Sequence, residues 1–203
     1  MSGKPDDPSA GQPPHGSGAS SQEFRHSQVS ARVPEKVGRG VFSTGVMVLQ
    51  TPHEFVLDFV QGMVQPRQLA ARVVLPPSFI PNLIGALREN LASYQAQFGP
   101  PPPLRQPGAP PAPTPIDEIY DQLKLPDDML GGVYANSAMI VHTQGEFCLD
   151  FIANFYPRAA VACRVYLAAA QAPVLTNTLA TSLHQYQQNL AQGGKPPEPP
   201  PAP

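Results

Sequence analysis

The sequence predicts an α+β fold of two tandem β-β-β-α units, each an antiparallel meander followed by an amphipathic helix, packed on each other as an intramolecular pseudo-dimer. Three observations carry that expectation. First, His53-Glu54-Phe55-Val56-Leu57-Asp58-Phe59 returns as Gly145-Glu146-Phe147-Cys148-Leu149-Asp150-Phe151, a spacing of 92 (146 − 54) that holds without insertion from Pro34/Pro126 to Tyr94/Tyr186. Self-similarity at a fixed period marks copies of one structural unit. Second, apolar residues in each copy alternate with period two and then step by three and four, the signatures of half-buried strands and of one helix face. Third, a unit of roughly 65 residues buries only about 60% of the surface its unfolded chain exposes, so each copy gains by packing on a partner.

In chain order, residues 1–33 are rich in Ser, Gly, Pro and Gln and lack an apolar period, which predicts a disordered tail. Within it His15, Phe24, Arg25 and His26 read as part of a solvated linker. The first unit covers 34–99. Val46-Met47-Val48-Leu49-Gln50 is its first strand, Thr51-Pro52-His53 a turn, and Glu54 to Gln61 the second strand, with Phe55, Leu57 and Phe59 on one face. Gly62 to Gln68 reads as a loop and Leu69 to Leu75 as the third strand. Pro76-Pro77-Ser78 then starts a helix, with Ser78 as N-cap and Pro81 tolerated in the first turn, where amides lack internal partners anyway. Ile80, Ile84, Leu87, Leu91, Tyr94 and Phe98 form its stripe, expected to cover the Phe55/Leu57/Phe59 face of its own sheet, and Gly99 stops it.

Residues 100–125 form a proline-rich spacer that carries a short amphipathic helix, 115–124, whose Ile116, Ile119, Tyr120 and Leu123 are expected to pack on the second unit. The second unit, 126–190, repeats the first, with strands near Ser137–Thr143, Glu146–Asn154 and Ala160–Leu167 and a helix from about Gln171 to Leu190. Its helix makes a weaker core element, because Ala172 and Thr176 stand where Ile80 and Ile84 stood. A second proline tail, 191–203, ends the chain.

Composition narrows the function. Of the 203 residues 28 are proline and 16 glycine, the prolines clustering at 1–34, 99–115 and 191–203, and the formal net charge of −2 with no block of Lys or Arg gives no electrostatic footprint for a phosphate backbone. No apolar run approaches the roughly 20 residues of a membrane span, and the N-terminal residues lack a signal-peptide core, so a cytoplasmic location and no membrane partner are expected. With Asp150 and Arg164 on one sheet face, strand alternation puts Cys148 on that face and Cys163 on the other, which predicts two reduced thiols and no disulfide.

The charges both copies keep are Glu54/Glu146, Asp58/Asp150 and Arg72/Arg164. Carboxylates four apart on a strand lie roughly 13 Å apart at about 3.3 Å per residue, too far for the paired work of a glycosidase. Asp58 with Arg72, and Asp150 with Arg164, are instead expected as cross-strand ion pairs. His53 and His142 read as turn and strand-end residues, replaced by Gly145 and Gln50 in the other copy. No nucleophile elbow, phosphate loop or metal-ligand spacing is present in the sequence, so no catalytic residue, metal or cofactor is assigned.

Gly132-Val133-Tyr134-Ala135-Asn136-Ser137, His142-Thr143, Glu146 to Phe151, Arg72 to Pro77, and Ala86-Leu87-Arg88-Glu89-Asn90-Leu91 with Tyr94 resemble a small bacterial and archaeal family, domain of unknown function family 3467. The resemblance covers 34–99 and 126–190 and implies a unit that family members carry once. Neither copy holds the whole pattern: the first has Phe42, Thr44 and Gln50 where the second keeps Tyr134, Asn136 and His142, and the second has Thr181-Ser182 where the first keeps Glu89-Asn90. Binding positions are expected at Tyr134, Asn136 and His142, and at Arg72 and Arg164 on the exposed sheet face; the resembled family has no established activity, and the resemblance points to RNA polymerase machinery as a partner. The function expected is a non-enzymatic protein-interaction or scaffold module, with nucleic-acid or small-ligand binding on an exposed sheet face around Arg72 and Arg164 as the alternative.

Overall fold

The computed structural model describes residues 31–104, 116–155 and 157–193. The tail expected at 1–33 therefore lies outside the described residues up to 30, with His15, Phe24, Arg25 and His26, as do 105–115 of the spacer and 194–203 of the second tail. The elements are α1 (Glu35–Gly38), β1 (Val41–Ser43), β2 (Gly45–Gln50), β3 (Phe55–Gln61), β4 (Arg67–Leu75), α2 (Ile80–Phe98), α3 (Ile116–Asp121), β5 (Leu123–Lys124), β6 (Val133–Tyr134), β7 (Ser137–His142), β8 (Glu146–Phe155), β9 (Arg158–Ala168) and α4 (Ala172–Ala191).

Both meanders form. β2-β3-β4 and β7-β8-β9 are antiparallel, and each middle strand carries a register shift at the same place, Phe59/Val60 and Phe151/Ile152. Alternation buries Phe55, Leu57 and Phe59 with Leu69, Val73 and Leu75, and Phe147, Leu149 and Phe151 with Val165 and Leu167. Burying one such Leu or Phe stabilises the fold by about 1.5–3 kcal/mol. Arg67 and Gln68 belong to β4 and not to the loop expected at 62–68, because their backbone also pairs with β5 on the far side. Ser78 is no N-cap: Pro77–Phe79 make a 3-10 turn and Phe79 precedes α2 without a side-chain cap.

The short strands missed from the sequence decide the architecture. β1 of the first copy pairs in parallel with β9 of the second, Val41 opposite Val165, while β6 of the second pairs in parallel with β4 of the first, Val133 opposite Val73. Interchanging the two copies maps this exchange onto itself, which is a twofold, isologous relation. Connectivity forces it. The slot for β1 lies beyond β4, whereas β2 is the opposite edge of its own sheet. Those positions are three strand spacings apart, about 14 Å, whereas the two residue steps from Ser43 of β1 through Thr44 to Gly45 of β2 span at most about 7 Å. A single copy cannot fill its own slot; the other copy can. The correspondence even precedes the Pro34 and Pro126 limits, since Arg32 bridges Ala160 in parallel as Lys124 pairs with Gln68.

The helices are exchanged as well. α2 packs along β7 and α4 along β2, and the two helices pack on each other. The stripe of α2 thus meets the sheet of the other copy, correcting the expectation that it covers its own: Tyr94 lies 5.4 Å from Phe147 and Tyr186 lies 5.3 Å from Phe55. One continuous core results, with Phe59 and Phe151 in contact at 5.6 Å near the twofold. The short helix α3 also departs from expectation. Its Tyr120 donates a hydrogen bond to Asp58 and the following β5 pairs with β4, so it packs on the first unit rather than the second.

Candidate functional site

Two of the three charge pairs kept in both copies, Asp58/Asp150 and Arg72/Arg164, form two clasps. Asp58 stands opposite Arg72, and Asp150 opposite Arg164, in the strand register. Arg72 Nε and Nη2 donate to Asp58 Oδ1 and Oδ2 at 2.8 and 2.7 Å, and Arg164 Nε and Nη2 to Asp150 Oδ1 and Oδ2 at 2.6 and 2.7 Å. The third nitrogen reaches the other copy: Arg72 Nη1 donates to the Leu130 carbonyl at 3.0 Å and Arg164 Nη1 to the Gly38 carbonyl at 3.2 Å. Both carboxylates are buried, and their hydrogen bonds raise the arginine pKa values above an already high norm. A planar fork is the side chain that can grip a carboxylate twice and still serve a carbonyl. The two arginines proposed as binding residues are thus joints between copies, with every nitrogen engaged.

Between the clasps lies a cleft of about 200 Å³ whose lining is made of seven twofold pairs: Lys36/Asp128, Val37/Met129, Gly40/Gly132, Val41/Val133, Ala70/Ala162, Ala71/Cys163 and Arg72/Arg164. Gly40 and Gly132 hold φ of 64° and 63°. A Cβ on Gly40 would come within 2.6 Å of the Tyr166 ring, and one on Gly132 within 2.7 Å of Arg72 Cγ, so the segments entering β1 and β6 can lie against the arginines only without a side chain. Cys163 on the cleft wall is a poor nucleophile, its thiol pushed up to about 12 by burial and then by the charge of Asp150.

A second groove, about 360 Å³, lies on the second sheet and is lined by Phe42, Val141, His142, Thr143, Glu146, Cys148 and Tyr166. Burial, and next the Asp150 charge, raise the Cys148 thiol too. Both cysteines are free. Above the groove, Met139 is 51% and Val141 53% exposed, whereas their counterparts Met47 and Leu49 are half-buried on the sheet that carries α3. There Tyr120 bonds Asp58, and burial followed by that bond raises its phenol pKa.

His142 stands where the groove meets the exchanged helix. Its ring stacks on Phe147 at 5.3 Å, meets Tyr94 and Phe98 edge-on, and places Nδ1 3.3 Å from Asn90 Oδ1. Tyr94 donates to the Gln144 carbonyl at 2.8 Å, and its counterpart Tyr186 to the Pro52 carbonyl at 3.2 Å. The other candidates lie elsewhere. Asn136 Oδ1 accepts from the Asn154 amide at 2.8 Å, the task Thr44 Oγ1 performs for the Gly62 amide, so both are anchors for the crossing chain. Tyr134 stacks on Phe155 at 5.7 Å and is 42% exposed, and neither it nor Asn136 lines the cleft or the groove. The structure therefore does not gather the five candidates into one site. Among the described residues no group of three or more His, Cys, Asp or Glu side chains could hold a metal ion, and no helix is long and apolar enough to cross a membrane.

A comparison with protein families finds the model of the proteins of unknown function DUF3467 matching twice, over residues 4–119 and 106–192. The chain belongs to the DUF3467 family. It is a tandem duplication of the DUF3467 domain, and no curated protein matches it. The exchange brings together two residues that the copies do not share. Asn90, which only the first copy keeps, meets His142, which only the second keeps. The counterpart place has Gln50 and Ser182, where the Gln50 Oε1 atom is buried without a partner among the described residues. One of two twofold-related places retains both halves of the pattern. The sequence showed both halves, and what hid their meeting was the unrecognised strand β1, whose only local signal was the repeated Gly-Val-aromatic triplet at Gly40 and Gly132.

Proposed function

We propose that this chain is a non-enzymatic, cytoplasmic interaction module that docks a partner protein on the outer face of its second sheet, beside His142. The observation that supports this reading is the difference between twin faces. The first sheet carries α3, a short amphipathic helix whose Tyr120 reaches a buried carboxylate, while the second leaves Met139, Val141 and Phe42 exposed beside Cys148 and Tyr166. Contiguous exposed apolar surface favours protein contact, and α3 indicates the chemistry of the occupant: a partner segment in a short helix, apolar on one side and carrying an aromatic hydroxyl. The alternative of phosphate binding by Arg72 and Arg164 is disfavoured by their engaged nitrogens.

A synthetic peptide with the sequence of residues 114–125 is the probe. Added to the full chain, it is expected to shift the methyl resonances of Met139 and Val141 saturably, and Val141→Glu to abolish the effect. No shift at millimolar peptide overturns the reading. So does binding that appears only after residues 1–30 are removed, which would make the chain's own N-terminal stretch the occupant. A concentration-dependent dimer that Val141→Glu dissolves would likewise assign the face to a second copy and contradict a separate partner.

A further inference from the structure

The cleft on the twofold is built almost symmetrically. Gly40/Gly132, Val41/Val133, Ala70/Ala162 and Arg72/Arg164 are identical pairs, and the guanidinium groups are spent on their aspartates and on carbonyls across the junction. What breaks the symmetry in charge is a single pair, Lys36 facing the position of Asp128. Both are exposed, and neither makes an ion pair within 4.0 Å among the described residues. Two identical chains with this cleft between them would present two lysines or two aspartates, whereas the duplicated chain presents one of each.

We propose that the axial cleft binds a small zwitterion with an apolar body, an amino acid or close relative, its carboxylate at Lys36 and its ammonium at Asp128. Size agrees: about 200 Å³ lies below the roughly 300–1,000 Å³ of drug-sized sites, so the occupant is small. Chemistry agrees as well, since the lining besides the charged groups is Val37, Val41, Met129, Val133, Cys163, alanines and glycines. A lining that offers one cation and one anion, neither of them ion-paired among the described residues, beside apolar walls selects a ligand with both charges over one with either. This site is separate from the outer face of the second sheet, and its test does not depend on a protein partner.

The experiment follows the Gly40 and Gly132 amide resonances of the full chain during titration with L-leucine, L-methionine and L-phenylalanine. Isoamylamine and 4-methylpentanoate, which are leucine without its carboxylate and without its ammonium, are the controls. Saturable shifts with at least one amino acid and about tenfold weaker binding of both controls are expected. Lys36→Ala and Asp128→Ala should each lose about tenfold in affinity. The double exchange Lys36→Asp with Asp128→Lys should restore binding in the reversed orientation, because the rest of the cleft is nearly symmetric. Absence of saturable shifts with all three amino acids, equal binding of either control, or a double exchange as weak as the single variants overturns the proposal.

Discussion

Asn90 Oδ1 of the first copy lies 3.3 Å from His142 Nδ1 of the second, while at the twin place, Ser182 and Gln50, Gln50 Oε1 is buried without a partner among the described residues. A double-mutant cycle over Asn90→Ala and His142→Ala should show a coupling of about 0.5–1.5 kcal/mol in denaturant unfolding, the range of one hydrogen bond between contacting residues. The same cycle over Gln50→Ala and Ser182→Ala should give a smaller value. Equal coupling at the two places would mean that the retained pair carries no special interaction.

The clasps predict a large and symmetric effect. Arg72→Ala and Arg164→Ala each leave a buried aspartate without its ion partner, a defect that costs about 3–5 kcal/mol. Lysine at either position should recover only part, because a point charge cannot hold two carboxylate oxygens and a carbonyl at once. Chemical denaturation of the four variants checks both statements.

Glycine substitutions should split by position. Gly40→Ala and Gly132→Ala place a Cβ at positive φ against an arginine or tyrosine of the neighbouring strand, for at least about 1–2 kcal/mol of backbone cost before any clash. Gly85→Ala lies inside α2 with nothing within 4 Å of the new carbon and should stabilise by about 0.8–1.0 kcal/mol. Melting temperatures of the three variants test the contrast.

Tyr120 predicts a pH dependence. Burial, and then the bond to Asp58, hold its phenol above the ordinary value of 10.0. A folded pKa raised above the unfolded one gives stability fully present below about pH 10 and lost as pH climbs through the folded value. Tyr120→Phe should therefore cost about 1 kcal/mol near pH 8, the worth of one hydrogen bond. The gap from the parent protein should narrow as pH rises above 10. Urea titrations at pH 8, 9, 10 and 11 measure it, and a gap that widens with pH would contradict the assignment.

Much of the fold was legible because alternation and helical steps are local signals: β3 and β8 begin within a residue of their expected starts, and α4 does too. The Asp58–Arg72 and Asp150–Arg164 pairs followed from the same alternation. What could not be read is what connectivity alone determines. β1 has three residues and β6 two, too short for any periodicity, yet their place beyond β4 and β9 dictates the exchange. Without those strands, local patterning sets α2 on its own sheet and Arg72 and Arg164 on an exposed face, and gives no sign that His142 meets Asn90. Signals for the cleft did exist in the glycines repeated at 40 and 132, which are required by close approach to side chains distant in sequence.

The central claim is that the copies trade β1, β6 and the long helices. Nuclear Overhauser contacts measured on the full chain test it most directly, because the traded and untraded folds place the same residues against different partners. The traded fold predicts contacts of Val41 with Val165, Val133 with Val73, Tyr94 with Phe147 and Tyr186 with Phe55. Strand-ladder contacts between the backbones of Val41 and Val73 and of Val133 and Val165, with Tyr94 against Phe55 and Tyr186 against Phe147, would return every element to its own copy and contradict the account.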